Sequence, residues 1–372
     1  MSVRPRRLPR FVAVSLIAAC WVAAAVLLAV FLVIGAIWRD VRAPMESRLT
    51  AGTPAEMIAY LAYNWRFRPT WQEDTQRAIY DPELTYVPKP GVARFTTAEF
   101  DTTITMSAAG LRQQPEAAAG KKIVVLGDSF AMGWGVNDAE TFSAVLASRY
   151  GWPTVNTGVS SYGTARELLR LRRLGLARDA RALVVQYCEN DDVENLAFLA
   201  GPEHFTSPQR TAQSWADIHG KLAEQPTFVA VARHTVGYVV ERCRSEGWRT
   251  ALGRIWQDRL PPYGVLVKAR GRRTPEAAAE TFLAVWDRFP ELVGVPVIVT
   301  EMSLHGADSG FVRALRRLAA GRKNFHVVSL TFHPEENYPF DGHINPRGHA
   351  SAAAQLDRAL HDLEADAAGG RR

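Results

Sequence analysis

Four short polar clusters in this chain contain the residue types that acyl transfer requires. Three of them follow short apolar runs that are typical of β-strands, and the fourth precedes the last predicted helix. If the runs are parallel strands, the clusters meet at one edge of a sheet, because the carboxyl ends of parallel strands lie together. The clusters are Gly127-Asp128-Ser129, Asn156-Thr157-Gly158, Glu189-Asn190-Asp191 and Asp341-Gly342-His343.

Each side chain in this set has a distinct chemical role. Ser129 would attack a carbonyl carbon, and His343 would take its proton and return it to the leaving alcohol. Asp341 would hold the imidazole in the tautomer that accepts from the serine. The oxyanion needs hydrogen-bond donors that are already oriented. The backbone N–H groups of Ser129 and Gly158 and the side-chain amide of Asn190 would provide three, although Asn190 is also suited to cap the next helix.

Strands and helices alternate in the predicted pattern from residue 123 onward. Apolar runs predict strands at 123–126, 154–156, 182–186, 296–300 and 325–329. Helical patterns begin near residues 140, 164 and 345, and Thr164-Ala-Arg-Glu167 matches a capping box. This alternation predicts a parallel sheet with helices on both faces.

In type and order, the four clusters resemble the sequence blocks of the SGNH (GDSL) hydrolase superfamily. The resemblance covers about residues 121–200 and 290–362. It implies a flavodoxin-like three-layer α/β/α fold and esterase or acyltransferase chemistry. It also implies that Ser129 is the nucleophile of a Ser-His-Asp triad.

Two positions depart from the usual pattern of that superfamily. Cys188 occupies a position where the third block usually has glycine, and Asp341 lies two residues before His343 instead of three. The shorter spacing is similar to that of SGNH-like polysaccharide O-acetyltransferases of bacterial envelopes. Glu301, at the end of the fourth predicted strand, is therefore an alternative triad acid.

The N-terminal region predicts a membrane anchor. Residues 11–38 contain no charged side chain, and as a helix they would extend about 42 Å, more than the ~30 Å hydrocarbon core of a bilayer. An apolar run this long predicts an uncleaved signal anchor rather than a cleaved signal peptide. Four arginines within residues 1–10 predict a cytoplasmic N-terminus, so the chain after residue 38 would lie outside the cytoplasm.

The rest of the chain divides by its sequence pattern. Residues 39–120 form a juxtamembrane region with short β-strands, and residues 121–372 form the hydrolase-like domain. That domain contains an insertion at about 197–285, which is too long for a plain connection.

Composition excludes several classes of protein and partner. The chain has 372 residues, of which 47% are hydrophobic and 22% charged, which excludes a disordered chain and a polytopic membrane protein. Residues 1–40 carry a net charge of +4 and the remainder +2, so no nucleic-acid partner is predicted. Three cysteines without a CxxC pair exclude a disulfide framework and a cysteine-based zinc site, and no cofactor or metal is predicted.

Three functional hypotheses follow. The first is a membrane-anchored extracytoplasmic serine esterase that removes a small acyl group, such as O-acetyl, from an acylated small molecule or an envelope glycan. The second is an O-acyltransferase that passes the same acyl-enzyme to a polysaccharide hydroxyl. The third is a non-catalytic envelope scaffold. The substrate, the acyl length and the role of the insertion stay open.

Overall fold

A computed structural model describes most of the predicted hydrolase-like domain and the strands before it. Contacts divide the chain into two units, residues 54–226 with 273–372, and residues 1–53 with 227–272. The second unit is described only at a few positions, and those between 12 and 25 are helical. The described residues are 12, 14, 15, 17–22, 24, 25, 71, 76–96, 99–115, 120–201, 244, 247, 274–302, 310–338 and 341–369.

The predicted membrane anchor falls mostly outside these ranges. Of the N-terminus at 1–10 nothing is described, and of the predicted span at 11–38 only eleven positions are described. Among the described residues, no helix has both the length and the apolar character needed to cross a bilayer.

The described elements alternate as the sequence predicts after residue 120. The strands are β1 Ala78–Asp81, β2 Thr85–Pro88, β3 Gly91–Thr96, β4 Asp101–Met106, β5 Lys122–Leu126, β6 Thr154–Asn156, β7 Ala180–Tyr187, β8 Val297–Glu301 and β9 Phe325–Val328. The α-helices are α1 Ser129–Met132, α2 Phe142–Tyr150, α3 Thr164–Leu174, α4 Asp191–Ala200, α5 Pro275–Trp286, α6 Gly310–Leu318 and α7 Pro346–Gly369. Short 3-10 helices lie at Asp138–Glu140, Pro290–Leu292 and Pro334–Glu336.

Strands β5 to β9 form one parallel sheet, in the order β6-β5-β7-β8-β9. All five strands predicted from apolar runs are present, with ends within two residues of the prediction. Helices cover both faces of the sheet, so the three-layer α/β architecture is confirmed.

The two faces of the sheet are built by alternate residues of the same strands. On β5, Val124 and Leu126 pack into a core with α3, α5 and α6. Ile123 and Val125 point to the other face and pack into a core with α2 and α7. Strands buried on both faces read as continuous apolar runs, which is why these segments were recognisable in the sequence.

The predicted insertion is shorter than the pattern suggests. Helix α4 continues to Ala200, and α5 begins at Pro275 behind an N-cap at Thr274. The two helices pack against each other, so both ends of the predicted 197–285 segment belong to the sandwich. The rest, 202–273, is described only at residues 244 and 247.

Two antiparallel hairpins, β1–β2 and β3–β4, precede the sheet. They belong to the same compact unit as the sheet, so the predicted boundary at residue 120 marks a change of sequence pattern and not the edge of a unit. Arg112 joins hairpin and sheet, since it forms antiparallel bridges to Met106 of β4 and to Asn156 of β6.

The Arg112 side chain strengthens this connection. It is 2% exposed, donates to the Val136 carbonyl at 2.8 Å and pairs with Asp138 at 2.5 Å. Asp138 also accepts the Thr105 N–H of β4, and Asn137 accepts that of Thr103. The free edge of β4 is thereby covered by side chains, as edge strands require.

Replacing Arg112 tests this connection. Arg112→Ala leaves Asp138 without its partner and opens space in the interior, so we expect a loss of about 3 kcal/mol in the free energy of unfolding. Arg94→Ala is the control, because Arg94 pairs with Asp101 on the exposed face of the same hairpin and such pairs contribute little. Urea unfolding of both variants measures the difference. Equal losses would contradict the role of Arg112.

Candidate active site

The turn after β5 places Ser129 at the start of helix α1. Gly127 has φ 149°, and a Cβ there would lie 2.5 Å from the Gln186 side chain, so only glycine fits. Asp128 caps α1, because its carboxylate accepts the Phe130 N–H at 2.9 Å. Its own N–H donates to Gln186 at 3.1 Å. The turn is thus tied to both the helix and strand β7.

Ser129, His343 and Asp341 form a continuous chain of hydrogen bonds. The Ser129 Oγ lies 2.7 Å from His343 Nε2, and His343 Nδ1 contacts Asp341 Oδ1. The carboxylate selects the tautomer in which Nδ1 carries the proton, because a carboxylate only accepts. Nε2 is then the acceptor that faces the serine hydroxyl. The structure therefore brings these three predicted residues into the arrangement of a nucleophile, a base and an orienting acid.

The two-residue spacing between acid and histidine has a local explanation. Gly342 between them has φ 84°, a left-handed conformation that glycine adopts without a Cβ clash. The segment is closed by hydrogen bonds from the Tyr338 N–H to the His343 carbonyl at 2.8 Å and from the Gly342 N–H to the Tyr338 carbonyl at 2.9 Å. Asn345 then caps α7 by accepting the Arg347 N–H.

Glu301, the alternative acid, does not hydrogen-bond the His343 ring in this structure. His343 Nδ1 is already bonded to Asp341. By strand alternation, Glu301 shares the face of Val297 and Val299, which packs toward α5 and α6, whereas α7 packs on the other face. Burial, with a smaller effect of the Glu189 carboxylate, raises the pKa of Glu301 to about 7.

The structure does not support Gly158 as an oxyanion donor. Its N–H donates to Asn156 Oδ1 at 2.9 Å, so that hydrogen is already used within its own loop. Glycine is required at this position for packing, because a Cβ would lie 2.5 Å from the Met132 backbone nitrogen. Its small size lets the loop approach α1 closely.

Asn156 connects the loop after β6 to helix α1, which begins with Ser129. It is fully buried, and its Nδ2 donates to the Ala131 carbonyl at 2.7 Å and to Ser143 Oγ at 2.8 Å. Its Oδ1 accepts the Gly158 N–H. One side chain therefore positions α1, α2 and the loop at 157–158.

Asn190 is exposed at the start of α4, and its side chain makes no capping hydrogen bond to that helix. The alternative that this amide caps α4 is therefore not what the structure shows.

Cys188 is buried, and its thiol hydrogen-bonds the Asp128 carboxylate. Burial raises the pKa of the Cys188 thiol well above its usual value, which suits packing and not nucleophilic attack.

A cluster of buried acids lies between α3, α4 and the Ser129 turn. Burial raises the pKa of Asp128 to about 6. Burial and the neighbouring Asp191 raise the pKa of Glu167 well above its usual value, and burial likewise raises the pKa of Asp191.

The predicted capping box at 164–167 is wrong, because the Thr164 hydroxyl donates to Asp191 at 2.8 Å. Glu167 turns into the interior, where neither of its carboxylate oxygens has a hydrogen-bond partner.

The loop at 158–163 carries backbone strain beside the site. Ser161 has φ 61°, a left-handed conformation that is uncommon for residues other than glycine and is often found at functional sites. Arg166 holds the loop by donating to the Ser161 carbonyl at 2.8 Å, and its charge is balanced by Glu194. Tyr162 braces the loop, since its hydroxyl donates to the Tyr86 carbonyl.

Two contacts to the acid were not predicted. Trp134 is buried among Phe95 and Phe100, and its indole N–H donates to Asp341 Oδ2 at 3.3 Å. Glu99, in the turn between β3 and β4, accepts the Asp341 N–H at 2.7 Å. No sequence signal relates the position of Glu99 to a residue so distant in the chain.

Comparison with known proteins adds no assignment. No protein-family model matches the chain, and a search of curated proteins found no match. Within the described residues, no group of three His, Cys, Asp or Glu side chains is arranged to hold a metal ion.

Gly158→Ala tests the close approach of the loop to α1. The added methyl would meet backbone atoms that cannot give way, so we expect a loss of about 1–3 kcal/mol in stability and a clear fall in any esterase activity. Gly321→Ala is the control, because a Cβ there meets nothing within 4 Å. Thermal unfolding and ester hydrolysis measure both effects, and a Gly158→Ala variant that behaves like Gly321→Ala would contradict this packing.

Glu167→Gln tests the buried acid cluster. Because the pKa of Glu167 is raised in the folded state, folding is favoured while Glu167 is protonated and is progressively penalised as pH rises above 4.5, its ordinary value. Glutamine removes this penalty, so we expect a stability gain that grows with pH and reaches about 1–3 kcal/mol at pH 8.

The control is Glu276→Gln at an exposed glutamate, whose pKa is lowered by its own backbone amide and by Arg317. This variant keeps the buried Glu167 and changes only an exposed carboxylate, so it should show no such gain. Melting temperatures from pH 5 to pH 9 distinguish the two variants. A difference between wild type and Glu167→Gln that stays constant over this range would contradict the interpretation.

Proposed function

We propose that this chain is a serine esterase of the SGNH type, which forms an acyl-enzyme on Ser129. The observation that supports the proposal is the Ser129–His343–Asp341 hydrogen-bond chain at the carboxyl edge of a parallel sheet. The strand order, numbered from β5, is 2-1-3-4-5, as in flavodoxin-like folds, which bind ligands where the order reverses. Ser129 follows β5 and Asn190 follows β7, the two strands at that point.

The geometry supports the following reaction. His343 Nε2 accepts the Ser129 proton as Oγ attacks the ester carbon, and it returns that proton to the alcohol when the C–O bond breaks. Water then attacks the acyl-enzyme, and Nε2 takes its proton. The acyl group leaves as a carboxylic acid, and the proton returns to Ser129. Asp341 stabilises the imidazolium in both halves of the reaction.

Two of the predicted donors remain candidates for the oxyanion. The Ser129 N–H lies at the start of α1, where helix N–H groups face outward, and the Asn190 amide is exposed after β7.

The location and the substrate class extend the proposal. The 28 uncharged residues at 11–38 support a membrane anchor with the catalytic domain on the extracytoplasmic side. A small acyl group, such as acetyl on an envelope glycan, would be the substrate.

Replacing the serine tests the proposed function. On p-nitrophenyl acetate, Ser129→Ala should lower kcat by at least about 10³-fold, because the proposed acyl-enzyme forms on the hydroxyl that this variant lacks, and unfolding should be unchanged. Ser148→Ala is the control, since that hydroxyl donates to the Ala144 carbonyl within α2. Similar rates for wild type and Ser129→Ala would contradict the assignment, and a wild type without activity on any ester tested would favour the scaffold hypothesis.

An O-acyltransferase is the second candidate, supported by the Asp341–His343 spacing. The two activities share the acyl-enzyme and differ in what resolves it. With p-nitrophenyl acetate and an added oligosaccharide, an esterase yields mainly acetate, whereas a transferase yields mainly acetylated sugar. Mass spectrometry of the products decides between them.

A further inference from the structure

The turn between β3 and β4 reaches the triad acid from outside the α/β sandwich. Glu99 Oε2 accepts the backbone N–H of Asp341 at 2.7 Å. This N–H belongs to the residue whose carboxylate holds His343. The bond therefore fixes the backbone from which the triad carboxylate projects.

The residue after Glu99 makes a second connection to the same segment. Phe100 is buried and packs edge-on against Trp134, with ring centroids 5.8 Å apart. It also packs against Tyr338 in a tilted arrangement, with centroids 5.2 Å apart. Trp134 donates to the Asp341 carboxylate, and Tyr338 donates to the His343 carbonyl. Glu99 and Phe100 thus hold the acid segment by one polar and one apolar contact.

The hairpin that carries this turn has a fixed position. The Thr103 and Thr105 N–H groups of β4 are bonded to Asn137 and Asp138. These two residues follow α1, the helix that begins with Ser129. The hairpin is therefore tied to the nucleophile side of the site and, through its turn, to the acid side.

We propose that Glu99 is a positioning residue, which sets the orientation of the Asp341 carboxylate toward His343 and so makes the β3–β4 hairpin a part of the active site. The part of this proposal that concerns the reaction rate rests on the proposed function. Misplacement of a catalytic group by about 1 Å can cost about 10²-fold in rate, so a lost backbone anchor at the acid should be visible in kcat.

Substitutions at Glu99 in the full-length chain test the proposal. Glu99→Ala removes the acceptor, and we expect kcat on p-nitrophenyl acetate to fall at least about tenfold with KM within twofold of wild type. Glu99→Gln retains a side-chain carbonyl that accepts the same N–H, and most of the activity should return. Glu99→Met is a second variant without the acceptor, for use if the alanine variant does not fold.

Asp101→Asn is the matched control. Asp101 lies in the same hairpin but pairs with Arg94 on the exposed face, so kcat should not change. The proposal is overturned if Glu99→Ala and Glu99→Met keep wild-type kcat, if glutamine is as impaired as alanine, or if Asp101→Asn loses as much activity as Glu99→Ala.

A spectroscopic readout separates this proposal from the proposed function. The proton between His343 Nδ1 and Asp341 should give a low-field resonance in the proton NMR spectrum, whether or not the protein hydrolyses esters. We expect it in wild type, Glu99→Gln and Asp101→Asn, and we expect it to be shifted or lost in Glu99→Ala. An unchanged resonance in Glu99→Ala, or none in wild type, would overturn the role of Glu99. Wild type with this resonance but without esterase activity would contradict only the proposed function.

Discussion

The hydrogen bond between Ser129 Oγ and His343 Nε2 is the contact on which the proposed chemistry depends. It joins positions 214 residues apart at 2.7 Å, and in the proposed mechanism the serine needs the histidine as its base. The serine follows the first strand of the parallel sheet, and the histidine lies just before the last helix. Every layer of the sandwich between these two points must therefore be placed correctly for the bond to form.

Side chains beneath and beside the site maintain that bond. Asn156 ties α1 to α2 and to the neighbouring loop, and Asp128 caps α1 while contacting the Cys188 thiol. On the histidine side, Asp341 is held by Trp134 and Glu99. The site thus has two supports, one within the sandwich and one from the β3–β4 hairpin.

Features that depend on the local sequence pattern were predictable. Features that depend on contacts between side chains distant in the chain were not. The sheet was predictable because buried parallel strands are continuous apolar runs. The donor role predicted for Gly158 is not supported, because the Asn156 side chain accepts its N–H. The capping box at Thr164 was wrong because Asp191, from another helix, takes its hydroxyl. Glu99 was missed because its contact with the acid crosses most of the chain, and spacing along a sequence carries no signal of such a contact.

Labelling with a fluorophosphonate tests the central claim most directly, since the reagent reacts with a serine only when a neighbouring base activates it. Peptide mapping of the labelled full-length chain should place the modification on Ser129. His343→Ala should slow the labelling by at least about 10²-fold. A label on a different serine, or equal labelling rates in wild type and His343→Ala, would contradict the account.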